Sequence, residues 1–473
     1  MPPKLYRHQE QAGEKVLELH GRCGLFPDVG TGKTRVAIEA AKHLANCHRI
    51  LVVAPLFAAG VWRDQVKKWA PEARTLRCIR GSIVQRAAKL RRLRIRKPSR
   101  RVYVVVGYES YWREPLRSEI LKYDPQMIIY DEAHRLKGKG TKQSRFAHSL
   151  ASTDGKLSKP VYILALTGTP APNGPHDFFS LFKAFAPAIF GTRWLDFEDR
   201  YVVRGGFQRY QIVGYRNLPE LEEKVAANSF RITKAEALDL PEEVDVEVPV
   251  VLSKKAREIY DRLAKDAIAE IEGFQGKGIA LSRIVLTNII RLQQVASGFV
   301  KVEDGRILDF DTAKRNALAD LLQDIVQAAG RVVVFCRFRH DVDAAIEVAK
   351  KIVGDAVFRI DGTVSVVDRE RQLRWFRTFE PSVLVGQIQV ASLAIDLSCA
   401  HIGVFYSRDY SLLNFDQARG RLHRHGQKEK VTYYHLLAEK TIDGKIYEAL
   451  KKKDELQRQL LDKGRARVFF GSR

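Results

Sequence analysis

Pro27-Asp28-Val29-Gly30-Thr31-Gly32-Lys33-Thr34 stands directly before a helical pattern that begins at Arg35. A glycine-rich turn of this kind lets backbone N–H groups wrap phosphate oxygens, and the helix N-terminus behind it adds positive potential. Lys33 can reach β- and γ-phosphates, and the Thr34 hydroxyl can ligate Mg²⁺. Gly30, Thr31, Gly32, Lys33 and Thr34 are therefore candidate nucleotide-binding residues, although the strict phosphate-loop pattern has glycine where Pro27 stands. A second segment, Asp131-Glu132-Ala133-His134, follows the apolar run Met127–Tyr130. Carboxylates at the C-terminal end of a buried strand lie where an α/β sheet places its active site. Asp131 is a candidate for holding Mg²⁺ and Glu132 for polarising an attacking water. Acids in the first turn of an ordinary helix would explain the charges, but not their position after a buried strand in a chain with a phosphate loop. A third segment, Leu166-Thr167-Gly168-Thr169-Pro170, follows the next strand, where its hydroxyls could sense a γ-phosphate.

Short β-branched runs, each followed by a helical pattern, must position these groups. In the first half they are Ile50–Ala54, Val102–Val106, Met127–Tyr130 and Val161–Leu164; in the second, Arg331–Phe335, Val357–Ile360, Val383–Val385 and Ile402–Tyr406. Near-continuous apolar strands between helices predict parallel sheets covered on both faces. Two such sets predict an α/β protein of two lobes. From about Pro175 to Asp311 long helical stretches take over, such as Ser253–Gly273 and Leu281–Ser297. Residues 1–230 are read as the first lobe, with a helical insertion from about 175. Residues 231–311 are read as connector and helical insertion, 312–445 as the second lobe, and 446–473 as a charged tail. Lys89–Arg101 is a basic run that suits a solvated loop and a DNA contact equally.

Composition sets the outer limits. The chain has 473 residues, 45% hydrophobic and 29% charged, enough for more than one buried core. No apolar run is long enough to span a bilayer, and the N-terminus has no signal-peptide pattern. Five scattered cysteines form no CxxC pair, which suits a reduced, cytoplasmic protein. A formal charge of +24 favours a polyanionic partner, because phosphate-neutralising Lys and Arg release counterions.

Taken together, Gly30–Thr34, the DEAH sequence Asp131–His134 and Leu166–Pro170 resemble motifs I, II and III of superfamily-two helicases. Tyr6-Arg7-His8-Gln9 resembles their adenine-reading glutamine motif, which makes Gln9 a candidate for adenine. Val52-Val53-Ala54-Pro55 through Trp62 to Trp69 resembles motif Ia, so the resemblance implies nucleic-acid contacts at Pro55 and Trp62; core packing is the other reading of the tryptophans. Gln417-Ala418-Arg419-Gly420-Arg421-Leu422-His423-Arg424-His425-Gly426-Gln427 is the most specific string, and it resembles motif VI of Swi/Snf-related translocases. Arg421 and Arg424, three apart, would share a helix face and could act as arginine fingers. A phosphate-binding surface helix is a weaker alternative, and a zinc site at His423 and His425 lacks ligands. Phe230–Lys234, Leu238–Pro241 and Arg291–Gly298 resemble the connector of the same group, and Val333–Cys336 its motif IV. Gly386–Leu397 resembles motif V, with Ala391, Ser392 and Ala394 where glycines are common; the resemblance implies roles for Gln389 at nucleic acid and Asp396 at nucleotide.

The resemblance implies two RecA-like parallel-sheet lobes with helical insertions between them and a cleft where ATP and Mg²⁺ act. It implies a nucleic-acid-dependent ATPase that translocates on or remodels double-stranded or branched DNA. A strand-separating helicase acting on RNA or single-stranded DNA, a non-catalytic nucleic-acid clamp, and a subunit of a larger machine are the alternatives. A compact bacterial or bacteriophage-type member, cytoplasmic and without a membrane partner, fits the chain best.

Overall fold

The computed structural model describes residues 4–461, apart from 57, 79–80, 97–99, 153–156, 158–160, 207–210, 273–277, 303, 392–394 and 459–460. Ser392 and Ala394, part of the basic run at 97–99, and the tail from 462 onward lie outside the described residues. The chain divides into two compact units, one of residues up to Asp239 together with the stretch from Lys453, the other Leu240–Lys452.

The first unit is built on a seven-stranded sheet. Its order is Arg74–Cys78, Val102–Gly107, Arg49–Ala54, Met127–Asp131, Tyr162–Leu166, Arg22–Leu25 and Ser229–Phe230. Every neighbouring pair is parallel. The central strands are apolar along their length because both faces are covered: Ile50 to Val53, Val102 to Val106 and Met127 to Tyr130 are all fully buried. The expected helical insertion after 175 is present as Asp177–Lys183, Trp194–Tyr201 and Leu218–Ala227, joined by an antiparallel hairpin of Val202–Gly205 and Gln211–Tyr215. An aromatic cluster of Phe179, Phe182, Phe190, Phe197 and Tyr201 packs it onto the core.

The second unit carries a six-stranded, wholly parallel sheet. Its order is Glu243–Val250, Val431–Ala438, Ile402–Phe405, Arg331–Cys336, Ser382–Gln387 and Val357–Ile360. The edge strand Glu243–Val250 falls inside the stretch read as connector, and its residues alternate between acids and valines up to Val248. The two long helices are Lys254–Glu272 and Gly278–Ala296. The expected α/β class, two parallel-sheet lobes with helical insertions, is what the structure shows.

Candidate nucleotide-hydrolysis site

Strand register brings the first three motifs together. Leu25, which leads into the phosphate loop, pairs with Leu166, and Leu166 pairs with Asp131. Three strands thus end side by side, and the loops that leave them share one sheet edge. The phosphate loop turns through Gly30 and Gly32, whose φ angles are +93° and +89°; side chains rarely adopt that region, and Gly32 caps the helix Lys33–His43 from it. A Cβ on Gly32 would also collide with the side chain of Gln9.

Gln9 packs against the phosphate loop. It is buried, its Nε2 donates to the Thr31 carbonyl at 3.3 Å, and its Oε1 accepts from the Tyr6 N–H at 3.2 Å. The His8 ring sits 2.9 Å from the same carbonyl and stacks on Tyr6. Lys33 Nζ donates to the carbonyls of Pro27 and Asp28 at 2.8 and 3.0 Å. Burial pulls its ammonium down to about 8, with Glu132, Asp28 and Asp131 opposing the shift.

Asp131 closes its strand and Glu132 follows at φ +54°, a left-handed conformation that costs a non-glycine residue on the order of 1–3 kcal/mol. Glu132 Oε2 lies 3.3 Å from His134 Nδ1, and that nitrogen is 3.1 Å from Thr167 Oγ1. Thr167 Oγ1 in turn accepts from the Thr169 N–H at 3.2 Å. Gly168 is required by closeness: a Cβ there would lie 2.9 Å from Val29 Cγ2 and 3.2 Å from Val29 N. Motif III is therefore packed on the phosphate loop, and its Thr167 shares the His134 Nδ1 neighbourhood with the catalytic carboxylate candidate.

Trp62 and Pro55, expected at nucleic acid, are both buried. Trp62 is 0% exposed, and its indole Nε1 donates to Asp131 Oδ2 at 2.8 Å. Pro55 is buried as well. The side chains of both are buried, whereas Leu56, which follows Pro55, is 46% exposed. The spacing of Trp62 from Pro55 carried no sign that its ring N–H meets a carboxylate 69 positions later.

The donor set suits Mg²⁺. Burial and the adjacent Glu132 push Asp131 up to about 6, so its carboxylate lacks the compensation that a bound dication would give. Thr34, half-buried at the helix start, would supply a hydroxyl. Outer partners of a metal carboxylate are commonly worth ~10–100-fold in metal affinity. Trp62→Phe keeps the ring and removes the donor, so Mg²⁺ should support ADP binding only at roughly ten-fold higher concentration. Titrating Mg²⁺ against fluorescent ADP checks this; an unchanged midpoint would make Trp62 mere core filling.

In the second unit, motifs V and VI are stitched together. Leu397 N–H donates to the Arg421 carbonyl at 3.1 Å. Gln427 Nε2 donates to the carbonyls of Ala400 at 2.9 Å and Ser398 at 3.3 Å. Arg424 Nε lies 3.8 Å from Asp396 Oδ1. Asp396, expected at nucleotide, is exposed, takes hydrogen bonds from Ser398 N–H and Oγ at 3.1 and 2.8 Å, and faces Arg424. Gln389 is exposed, with its Nε2 3.3 Å from Asp409 Oδ2. One expectation fails: the helix is Leu412–Leu422, and the chain leaves it at His423, where ψ is 87°. Arg421 and Arg424 therefore do not share a helix face. Arg424 instead stands in the turn after the helix, facing Asp396. His423 Nε2 is occupied by the Pro241 carbonyl at 2.8 Å, and no cluster of three metal-ligating side chains exists among the described residues.

Residues that sequence reasoning missed lie around these motifs. Asp28 meets Arg231, with Nη1 2.5 Å from Oδ1. Arg419 Nη1 donates to both Asp245 oxygens at 2.6 and 2.9 Å. The first pair is separated by 203 positions and the second by 174, so no local spacing could reveal them.

Two family models match the chain in succession. Residues 8–298 match the SNF2-related domain and 313–426 the helicase conserved C-terminal domain. An uncharacterized ATP-dependent helicase of Mycoplasma genitalium is 24% identical over 460 residues, covering 94% of this chain and 41% of that protein. The human SWI/SNF-related matrix-associated actin-dependent regulator of chromatin subfamily A member 1 is 25% identical, covering 94% and 42%. Human DNA annealing helicase and endonuclease ZRANB3 is 25% identical, covering 96% and 40%. The chain thus spans about two fifths of the length of these curated relatives. A Sulfolobus solfataricus SWI2/SNF2 ATPase core in complex with dsDNA aligns at TM-score 0.44 and 20% identity, covering 99% of this chain and 95% of that one. The SNF2-related match alone takes in well over half of the residues, and the chain belongs to the SNF2-related family.

Proposed function

We propose that this chain is a DNA-stimulated ATPase that moves along or remodels duplex or branched DNA. The observation that carries the reading is the register Leu25–Leu166–Asp131, which gathers phosphate loop, paired acids and Thr167 at one sheet edge. Gln9 reads adenine. Lys33 leaves the Pro27 and Asp28 carbonyls for the β- and γ-phosphates. Thr34 and Asp131 would hold Mg²⁺, which would supply charge neutralisation at the phosphates. Glu132 orients and polarises the attacking water, and Thr167, linked to Glu132 through His134, reports the loss of the γ-phosphate. Arg421 and Arg424 stabilise charge on the phosphoryl group in transit. Intact acids, lysine and arginines weigh against a clamp that binds ATP without turnover. Among the described residues no helix is long and apolar enough to cross a membrane, and we place the chain in the cytoplasm of a bacterial or phage-infected cell.

Charge distribution supports the DNA part. Residues 63–101 carry fifteen Lys and Arg against two acids, a surplus of 13 out of the total of +24. They include the edge strand Arg74–Cys78 and the helix Ile83–Arg96, which exposes Lys89, Arg91 and Arg92. A concavity of about 520 Å³ beside them is lined by Arg63, Lys67, Arg74 and Arg100. The P-loop strand is five places away across the sheet, roughly 24 Å at the usual strand spacing, so these cations do not serve the nucleotide.

ATPase rates with plain, forked and four-way DNA, and with RNA, test the substrate reading directly. Duplex or branched DNA should stimulate most; equal rates with and without nucleic acid would refute the coupling, and better stimulation by RNA would refute the substrate. Neutralising Lys67, Arg74, Arg91 and Arg92 to Gln should weaken DNA binding. Each lost phosphate contact should flatten the dependence of log K on log salt by about 0.9. Turnover at saturating DNA should hold. An unchanged salt slope would move the DNA surface elsewhere.

A further inference from the structure

The stretch that joins the two units grips catalytic motifs at both of its ends. Upstream, Arg231 is 6% exposed and its Nη1 donates to the Phe26 carbonyl at 2.9 Å and reaches Asp28 Oδ1 at 2.5 Å. The Lys234 N–H donates to Asp28 Oδ2 at 2.9 Å, and the Asp28 N–H donates to the Ile232 carbonyl at 3.1 Å. Both oxygens of the Asp28 carboxylate are therefore engaged by this segment. The carbonyl of the same residue accepts from Lys33 Nζ at 3.0 Å and from Thr31 Oγ1 at 2.8 Å. The peptide held from Arg231 is the one on which Lys33 rests.

Downstream, the Pro241 carbonyl takes His423 Nε2 at 2.8 Å, and Asp245 takes Arg419 at 2.6 and 2.9 Å. Glu243 adds a second carboxylate 3.3 Å from Arg419, whose guanidinium lies 4.4 Å from the Tyr433 ring centre. Asp245 is itself fixed by the fully buried His435, whose Nε2 lies 2.8 Å away. Arg419 and His423 flank Arg421, two positions before it and two after. Only residues 235–240 separate the two grips at Lys234 and Pro241, and seven Cα steps span at most about 25 Å when fully extended. Part of that span is stiffened, because Thr233 and Glu236 form a reciprocal cap on the short helix Lys234–Ala237.

We infer that residues 231–245 are a coupling strap, in which Arg231 and Arg419 are positioning residues that tie the setting of Lys33 to the setting of Arg421. This rests on the ATPase reading above. A short, pinned tether passes a displacement of one grip to the other, where a long loop would absorb it. Allosteric couplings of this kind are typically worth ~5–150-fold.

Two full-chain variants test the strap. One inserts Gly-Ser-Gly-Ser between Leu238 and Asp239, slackening the span while leaving both grips. The other, Arg419→Leu, releases the downstream grip at native length. Both should bind fluorescent ADP and duplex DNA as the native chain does while stimulation by duplex DNA falls at least ~ten-fold, and the insertion, which alters neither grip, should also keep the rate measured without DNA to within about two-fold. Arg231→Met should raise the KM for ATP more than it lowers kcat, with Arg231→Lys recovering part of the loss. Native stimulation in both the insertion and Arg419→Leu overturns the strap. A native chain that DNA does not stimulate defeats the ATPase reading instead, so the two failures are distinguishable.

Discussion

Glu132→Gln should bind ATP with near-native affinity and turn it over ~10²–10⁴-fold more slowly, the range expected for loss of a positioned general base. The amide fills the same space at the end of strand Met127–Asp131 but loses the charge that orients water. The backbone supports this specificity: a non-glycine residue at φ +54° is kept there against strain by what surrounds it. His134 Nδ1, 3.3 Å from the Glu132 carboxylate and 3.1 Å from Thr167 Oγ1, is the neighbour that aims it. Lys33→Ala should behave in the opposite sense. It removes a cation facing the phosphates, so nucleotide binding falls first. Nucleotide titration and single-turnover hydrolysis on both variants separate the roles. Normal hydrolysis by Glu132→Gln would reassign the catalytic carboxylate.

Much of this site was legible because its residues are contiguous. Gly30–Thr34, Asp131–Glu132 and the Arg421–Arg424 string each carry their chemistry within a few positions, and the apolar strands that present them are buried on both faces. Strands with other surroundings were harder to read. Arg74–Cys78 is an edge strand with basic residues on it, and Arg22–Leu25 has four residues with a glycine among them. Glu243–Val250 does alternate with period two, as a half-exposed strand should, but it stands between helices in a stretch whose helical texture outweighs it. Trp62 shows the limit most clearly. A tryptophan beside a motif suits a stacking contact and a core position equally, and only the fold reveals that its N–H meets Asp131. Arg231 and Asp28 show it again, since a pair 203 positions apart is fixed by strand order, where Ser229–Phe230 lies beside Gly24–Leu25. The helix expected to align Arg421 with Arg424 stops between them because His423 turns to the Pro241 carbonyl.

That turn sharpens what the arginines should do when removed. Arg421 is 9% exposed and its carbonyl is tied to Leu397, so its side chain leaves a fixed backbone. Arg424 is less confined: its Nε is buried without a hydrogen bond, and Asp396 Oδ1 stands 3.8 Å away. A buried donor left unmade costs roughly 1–3 kcal/mol, a cost that a phosphate oxygen would relieve. If both arginines serve the phosphoryl group in transit, Arg421→Ala and Arg424→Ala should each slow hydrolysis by as much as ~10³–10⁵-fold. ATP binding should change far less, because the contact matters most in the transition state. DNA affinity should change little, since it draws on the many cations of residues 63–101. Arginines that merely touched DNA phosphates would give the reverse: weaker DNA binding, a softer salt dependence and preserved turnover at saturating DNA. Arg→Lys discriminates further, because lysine keeps the charge but lacks the planar fork, so both lysine variants should remain badly impaired. Steady-state kinetics at saturating DNA, with nucleotide and DNA affinities measured in parallel, read all of these outcomes; normal turnover in both alanine variants would leave Lys33, Asp131 and Glu132 without the transition-state cations on which the motor reading depends.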